Sequence, residues 1–191
     1  MPQYRRARIP GSTIFITCIT HQRQPLFHNP HNIQLLRRAL AQTQQEKPFT
    51  VTAAVILPEH LHFLWQLPDQ DCNYSARVGR MKVLFTRALC GNTAPPEDLS
   101  ESRKKHRERD VWQRRFWERS LCDQQEVNHY LDYIHYNPVK HGLVTCPHLW
   151  QYSSFSRYVA QGVYSKYWAC QCRGNIARVP DFSDIVDYVG E

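Results

Sequence analysis

The stretch VILPEHLHFLWQLP, residues 55 to 68, is apolar along most of its length but carries His60 and His62 at its centre. The Pro-Glu pair just before His60 predicts a tight connection between two strands of a hairpin. Side chains alternate between the two faces of a strand, so both imidazoles point to the same side. Such a pair is most often a half-exposed feature of a sheet surface, and other groups are needed to make it a site.

The length and charge of the chain limit the number of domains and the class of partner that it can have. Its 191 residues fit one domain whose core is large enough to fold without stabilising disulfide bonds or metal ions. There are 24 Lys and Arg against 17 Asp and Glu, a net charge of +7, and the pI is about 9.1. A basic balance of this size favours a polyanionic partner, with nucleic acid the leading class.

Seven scattered cysteines without a CxxC pair are typical of a reduced, intracellular protein. Cys170 and Cys172 form the one close pair, which has no second pair at zinc-finger spacing, so we interpret them as structural or surface thiols. The basic N-terminus lacks the apolar core of a signal peptide, and no stretch approaches the ~20 apolar residues of a membrane span. We therefore expect a cytoplasmic protein without a membrane partner.

Hydrophobic spacing predicts an alternation of strands and helices. Strands are expected over residues 12–20, 49–57 and 60–67, with a fourth strand or its approach over 111–121, and helices over 31–46, 75–90 and 126–136. This order predicts an α+β fold, a ferredoxin-like antiparallel sheet with helices on one face and an added C-terminal helix. Residues 91–110 are interpreted as a long polar loop, residues 1–158 as the domain, and residues 159–191 as a C-terminal tail packed on it.

The third predicted helix places Tyr133 outside its buried stripe, on an exposed face shared with His129 and Asn137. Pro138 disfavours helical geometry at Asn137 and is expected to end or kink the helix there. Taken singly, Tyr133 could be a half-buried aromatic residue and Asn137 a simple helix terminator.

Two imidazoles, an amide, a phenol and a basic surface together suit phosphodiester cleavage. A tyrosine hydroxyl is a weak nucleophile at neutral pH, but it can attack phosphorus when a cation polarises the scissile phosphate. His60, His62 and the Asn137 carbonyl could hold that cation and leave positions open for phosphate oxygens. Attack would leave a 5′-phosphotyrosine and a free 3′ hydroxyl.

Two motifs carry a resemblance to a known family. LPEHLHFLW resembles the HUH motif (histidine, hydrophobic residue, histidine) of single-tyrosine transposases, and DYIHYNPVKHGLV resembles the tyrosine-helix motif of the REP-associated tyrosine transposases. The resemblance extends over about residues 4 to 158 and includes YRR at the start and WQRRFWE at residues 112–118.

This resemblance implies the HUH endonuclease fold, with Tyr133 as the nucleophile and His60, His62 and Asn137 as ligands of a divalent ion, Mg²⁺ or Mn²⁺. By ligand type, two imidazoles and a carbonyl suit Mn²⁺ or Zn²⁺ better than Mg²⁺. Tyr130 is the poorer nucleophile candidate because it lies on the buried stripe, and Tyr136 because it lacks an amide one turn later. The resemblance also implies a nucleoid-associated monomer acting on single-stranded or hairpin DNA of repetitive extragenic palindromes.

Contacts to the DNA backbone are expected from basic residues in two segments. Arg5, Arg6 and Arg8 lie in the N-terminal arm, and Arg114 and Arg115 are flanked by aromatic residues on which bases could stack. A solvated charged loop is an equal alternative for the basic run at residues 103–109.

Two other functions compete with the enzyme. A DNA-binding protein that holds repeat hairpins without cleaving them needs only the basic arms and the aromatic surfaces. A structural zinc site at His60 and His62 ranks lower, because no cysteine lies at the spacing of a closed site.

Overall fold

The structure is a computed structural model that describes residues 9–91, 93, 109–172 and 180–191. In this part of the chain the strands are β1 (Thr13–Ile19), β2 (Thr50–Ile56), β3 (His60–Gln66) and β4 (Trp117–Leu121), and the helices are α1 (Pro30–Glu46), α2 (Tyr74–Cys90), α3 (Gln124–Lys140) and α4 (Phe155–Ala160). The predicted Arg5, Arg6 and Arg8 contacts and most of the 91–110 loop lie outside the described residues. No helix among the described residues is long and apolar enough to cross a membrane.

Within the described residues the four strands form one antiparallel sheet in the order β2-β3-β1-β4. The β2–β3 hairpin is the one predicted from the opening stretch, and β3 pairs with β1 on its other side. His62 is therefore opposite Thr17 of β1 and Val55 of β2. The histidine strand is an inner strand, held in register from both sides.

The helices α1 and α2 cover one face of the sheet, as predicted. Asn29 caps α1 by accepting from the His31 N–H, and Asn73 caps α2 by accepting from the Ala76 N–H. The core between these helices and the sheet contains side chains from both layers: Ile14, Ile16, Leu61, Phe63, Trp65, Ile33, Leu36, Val78, Met81 and Phe85.

The α+β class and the antiparallel sheet are confirmed, but helices cover both faces of the sheet instead of one. The second face packs against α3, α4 and the last residues of the chain, and this core contains Phe15, Val55, Leu64, Tyr133, Ile134, Phe155, Tyr164, Ile185 and Val189. The reason lies in β1, where neighbouring side chains on opposite faces, such as Phe15 and Ile16, are both fully buried. A strand that is apolar on both faces needs a layer on each. The domain boundary at residue 158 stays a prediction.

The third helix runs past the proline that was expected to end it. α3 continues through Pro138 to Lys140, and the carbonyls of Asn137 and Val139 still accept from the N–H of His141. Pro138 removes only the one bond that its own N–H would make. The buried side chains of this last turn pack against the rest of the chain, and that packing holds the turn in helical form.

The fourth strand is shorter than the range of residues 111–121 that its aromatic residues predicted. Only Trp117–Leu121 joins the sheet, while Trp112 makes an isolated bridge with Thr20. Trp112 and Phe116 instead pack on the core beneath α1 and α2.

Candidate active site

His60 and His62 lie on the face of β3 that α3 covers, with their ring centroids 5.0 Å apart. They are not half-exposed: their relative exposures are 1% and 0%. The ring of His62 stacks on Phe15 and meets Tyr133 edge to face, at centroid distances of 5.4 and 5.6 Å. The histidine pair is therefore enclosed between the sheet and α3.

Each imidazole is anchored through its Nδ1 atom. Nδ1 of His60 lies 3.0 Å from the Glu59 carboxylate, and Nδ1 of His62 lies 2.8 Å from the Thr17 hydroxyl. That hydroxyl donates its own proton to the Val189 carbonyl at 2.6 Å, so it accepts from His62. Both rings thus use Nδ1 to donate and turn Nε2 towards the same space, the arrangement found in metal-binding histidines.

Burial lowers the pKa of His62 to about 4, although a hydrogen bond with Glu191 opposes the shift. The ring is therefore neutral near pH 7, because a charge in this enclosed position would lose its hydration. A neutral imidazole is the form that binds a metal ion.

Tyr133 and Asn137 lie one turn apart on α3 and face the histidines, but they are not on an exposed surface. Their relative exposures are 1% and 0%. The expectation of an exposed face was wrong because α3 is covered on several sides: Phe15 of the sheet meets the Tyr133 ring at 6.1 Å, and Phe182 of the C-terminal segment meets it at 5.3 Å.

Two buried atoms of this cluster have no hydrogen-bond partner in the described part of the chain, Nε2 of His60 and Oδ1 of Asn137. Buried polar atoms are rarely left unsatisfied, and a bound ion is one group that satisfies them. With Nε2 of His62 they make two nitrogen donors and one oxygen donor. This donor set fits a divalent transition metal such as Mn²⁺.

Glu191 is a site residue that the sequence analysis missed. Its Oε1 atom lies 2.7 Å from Nε2 of His62, 3.4 Å from Nε2 of His60 and 3.0 Å from Nδ2 of Asn137. Its Oε2 atom lies 2.5 Å from Nζ of Lys140. The carboxylate thus occupies the space in front of the histidine pair. A sequence separation of 129 residues from His62 leaves no local signal that could have found it.

Lys140 and His141 also belong to the cluster and were missed. Nζ of Lys140 donates to the Tyr133 hydroxyl at 2.9 Å, and His141 Nε2 lies 3.3 Å from Glu191 Oε2. One ligand atom from each of His60, His141 and Glu191 lies within 4.8 Å of the other two, which makes them a second group that could hold a metal ion. Lys140 follows Tyr133 by two helical turns, so a helix carried past Pro138 would have placed it on the same face.

The environment of Glu191 and Tyr133 sets their protonation. Burial disfavours the Glu191 carboxylate, but its close contacts with His141, His60 and His62 outweigh this effect and hold its pKa below the ordinary value. Burial, and then the negative charge of Glu191, raise the pKa of Tyr133. The phenol is therefore protonated at neutral pH while Glu191 stays beside it.

The other tyrosines of α3 have different surroundings. Tyr130 packs on Phe15 at a centroid distance of 4.7 Å, and burial raises its pKa to about 12. The Tyr136 hydroxyl accepts from the Gln171 side chain at 2.6 Å. Tyr133 is the tyrosine of this helix whose ring contacts a histidine of the pair.

Arg114 and Arg115 are exposed, on the segment that leads into β4. Their aromatic neighbours are less available for stacking than predicted, since Trp112 is only 8% exposed. The Trp117 indole is 38% exposed and donates to the Tyr188 carbonyl at 2.5 Å.

A tyrosine on a helix, facing a histidine-hydrophobic-histidine strand of an antiparallel sheet, is the arrangement of the single-tyrosine transposases. The family model "Transposase IS200 like" matches residues 11–137. A candidate REP-associated tyrosine transposase of Haemophilus influenzae is 41% identical over 88% of this chain and 93% of its own length. The REP-associated tyrosine transposase of Escherichia coli is 37% identical over 88% of this chain and 92% of its own.

A solved structure of a REP-associated tyrosine transposase bound to a REP hairpin superposes with a TM-score of 0.77 and 36% identity, covering 100% of this chain and 98% of that one. The chain belongs to the REP-associated tyrosine transposases. It is an enzyme of the single-tyrosine transposase class, as its sequence motifs indicated.

Proposed function

We propose that this protein is a metal-dependent endonuclease and strand transferase that acts on single-stranded DNA at the foot of chromosomal REP hairpins. The observation that carries the proposal is that His60 Nε2 and Asn137 Oδ1, two buried atoms without a hydrogen-bond partner among the described residues, belong to the cluster in which the His62 ring contacts Tyr133. These groups are the ones that attack on a phosphodiester by a tyrosine requires.

His60, His62 and Asn137 are the proposed ligands of the cation, Mn²⁺ or Mg²⁺. When bound, such an ion neutralises charge on the scissile phosphate. The protein's part is to hold the donors: the hydrogen bonds from Nδ1 to Glu59 and Thr17 fix both rings with Nε2 facing the site.

Tyr133 is the proposed nucleophile. Its Oη forms a bond to phosphorus as the bond between phosphorus and the 3′ oxygen breaks, so that one phosphodiester replaces another and the released 3′ oxygen takes up a proton. The phenol proton passes to solvent water, which also supplies the proton that the 3′ oxygen takes up, and the ammonium of Lys140, 2.9 Å from Oη, stabilises the phenolate. The phosphotyrosine retains the bond energy for rejoining.

Glu191 opposes this reaction in the arrangement described here. Its carboxylate faces the histidine pair and raises the pKa of the nucleophile, and the segment around Val189 covers the site. A phosphate group is repelled by this charge and needs the same space. We propose that DNA engages the site only after the Glu191 side chain has moved.

Replacing Glu191 with alanine should therefore speed formation of the covalent adduct several-fold at saturating Mn²⁺. The substitution removes the charge and the volume in front of His62, while Val189 keeps its bond with Thr17. The rate is measured by following radiolabelled hairpin into the protein band of a denaturing gel. Asp187→Ala, which removes the same charge from an exposed position of the same segment, is the control and should leave the rate unchanged. A slower reaction with a higher Mn²⁺ requirement would instead make Glu191 a required ligand.

The proposed substrate rests on the hairpin bound by the related structure and on the net charge of +7. Phosphate contacts by basic side chains give binding that weakens with salt. Arg114 and Arg115 are proposed to make such contacts, together with Arg5, Arg6 and Arg8.

Arg114→Ala and Arg115→Ala should each flatten the slope of log affinity against log salt by roughly one unit, the effect of losing one phosphate contact. Hairpin binding is measured by fluorescence anisotropy over a salt series. Arg80→Ala is a matched control, because the Arg80 guanidinium already pairs with Glu46 at 2.6 and 2.7 Å. Slopes that match the wild type would assign Arg114 and Arg115 a structural role.

A protein that binds hairpins without cleaving them is the second candidate, favoured by the burial of Tyr133 and the raised pKa of its hydroxyl. Incubation of the protein with end-labelled REP hairpin and Mn²⁺ separates the two. A covalent protein-DNA adduct supports the enzyme, whereas a complex that dissociates fully in denaturant supports the binding protein.

We further propose that the protein works as a monomer in the cytoplasm, at the nucleoid.

A further inference from the structure

A second cluster of metal-binding side chains lies away from the histidine pair. It consists of Cys146, His148, Cys170 and Cys172. One ligand atom from each of the first three lies within 4.8 Å of the other two. Cys172 lies next to this group of three, with its Sγ atom 3.6 Å from Sγ of Cys146.

Two short segments bring these four side chains together. Cys146-Pro147-His148 opens a turn in which the Leu149 N–H bonds to the Cys146 carbonyl at 3.0 Å. The second segment, Cys170 to Cys172, lies beside it through a backbone bond of 2.8 Å from the Gln171 N–H to the Thr145 carbonyl. Each segment thus presents two candidate ligand side chains that are separated by one residue.

We propose that this cluster is a structural zinc site of the Cys₃His type. In a tetrahedral site with ordinary zinc bond lengths, two sulfur ligands lie about 3.8 Å apart, and a sulfur and a nitrogen ligand about 3.6 Å apart. The Cys146–Cys172 sulfurs are 3.6 Å apart, and Sγ of Cys170 is 3.7 Å from Nδ1 of His148. Three thiolates and one imidazole fill the four positions of a closed site.

A disulfide is the competing assignment, because the sulfurs of Cys146 and Cys170 are in bonding contact in the structure. A disulfide gives no role to the neighbouring Cys172 thiol or to the His148 imidazole. The scattered, odd number of cysteines is also typical of a reduced protein, in which such a group binds metal more often than it oxidises. Zinc binding needs no oxidant, since each thiol only releases its proton.

The position of the cluster indicates what zinc would stabilise. The residue before Cys170, Ala169, packs on Tyr136 and Val139 of α3. The residue after it, Gln171, bonds to the Tyr136 hydroxyl. Ala169 also has a φ of 50°, a conformation that an alanine adopts only when the surrounding structure holds it. The site would tie the chain that follows α3 to the segment that packs on the end of that helix.

Metal analysis of the full chain tests the proposal. The His60→Ala variant, purified without added metal or chelator, lacks the histidine common to both donor groups at the histidine pair and should contain about one zinc per chain by mass spectrometry. Adding Cys172→Ser or His148→Ala should remove most of that zinc. Adding Cys122→Ser, which changes an exposed cysteine outside the cluster, should not. Zinc retained in both cluster variants, or none in the parent, would overturn the site.

A thiol count separates zinc from the disulfide without depending on folding. In denaturant with chelator and without reductant, zinc ligation predicts that all seven cysteines react with a thiol reagent. A Cys146–Cys170 disulfide predicts five, the number of cysteines outside that bond. Cobalt replacement gives a second readout, the visible bands of a tetrahedral cobalt thiolate, and these should be absent in Cys172→Ser.

Discussion

The Tyr133→Phe variant should form no covalent adduct with a REP hairpin, while its affinity for the same hairpin stays within a few-fold of the wild type. The substitution removes one oxygen atom and no charge, so DNA contacts outside the site are preserved. It also removes the acceptor of the Lys140 bond, but the ammonium keeps its contact with Glu191. The readouts are the labelled protein band in a denaturing gel and the anisotropy of a fluorescent hairpin.

Tyr130→Phe is the matched control for this experiment. Tyr130 lies on the same helix, is as buried as Tyr133, and its hydroxyl has no hydrogen-bond partner among the described residues. Its removal should leave both folding and adduct formation intact. If Tyr133→Phe still formed the adduct, the nucleophile would be misassigned, and Tyr136 would be examined next.

His62→Ala should lower the Mn²⁺-dependent rate by about 10²-fold or more, which corresponds to a loss of roughly 3 kcal/mol in the transition state. The substitution removes one proposed ligand and, with it, the ring that packs between Phe15 and Tyr133. His60→Ala should have a similar effect, since its Nε2 atom faces the same space. Rates are measured across a Mn²⁺ titration, so that weaker metal binding is separated from a lower maximal rate.

The control for His62 is His135, a second buried histidine on α3. Burial lowers its pKa to about 3, so it is neutral like His62, but its ring packs on Phe155 and Tyr164 instead of facing the site. His135→Ala should lower the melting temperature without changing the Mn²⁺ dependence. Full activity in both His60→Ala and His62→Ala would exclude the proposed metal site.

Local patterns were enough to predict the framework of the fold. The alternation of side chains along a strand placed His60 and His62 on one face, and the helical repeat placed Tyr133 and Asn137 one turn apart. Both relations hold in the structure. They depend only on backbone geometry, which neighbouring residues determine.

Burial around the site could not be predicted in the same way. Tyr133 and Asn137 were expected on an exposed face, because the helical repeat describes α3 alone. The helix is instead covered by the sheet on one side and by Phe182 of the C-terminal segment on another. For the same reason Pro138 did not end α3: the cost of one lost backbone bond is local, whereas the packing that offsets it is not.

The sequence by itself therefore determined the order of the strands and of the three long helices, the face that the two histidines share and the family to which the chain belongs. Only the tertiary structure brought Glu191 to His62 across 129 residues, and Cys146 to Cys170 across 24. Neither contact has a local signature in the sequence. The two partners lie on separate segments, and the pattern of each segment gives no indication of the other. Such contacts form because apolar surfaces must be covered: Val189 packs in the same core as Phe15 of β1, and Ala169 packs on Tyr136 and Val139 of α3. The polar side chains next to Val189 and Ala169 are brought to their partners by this packing.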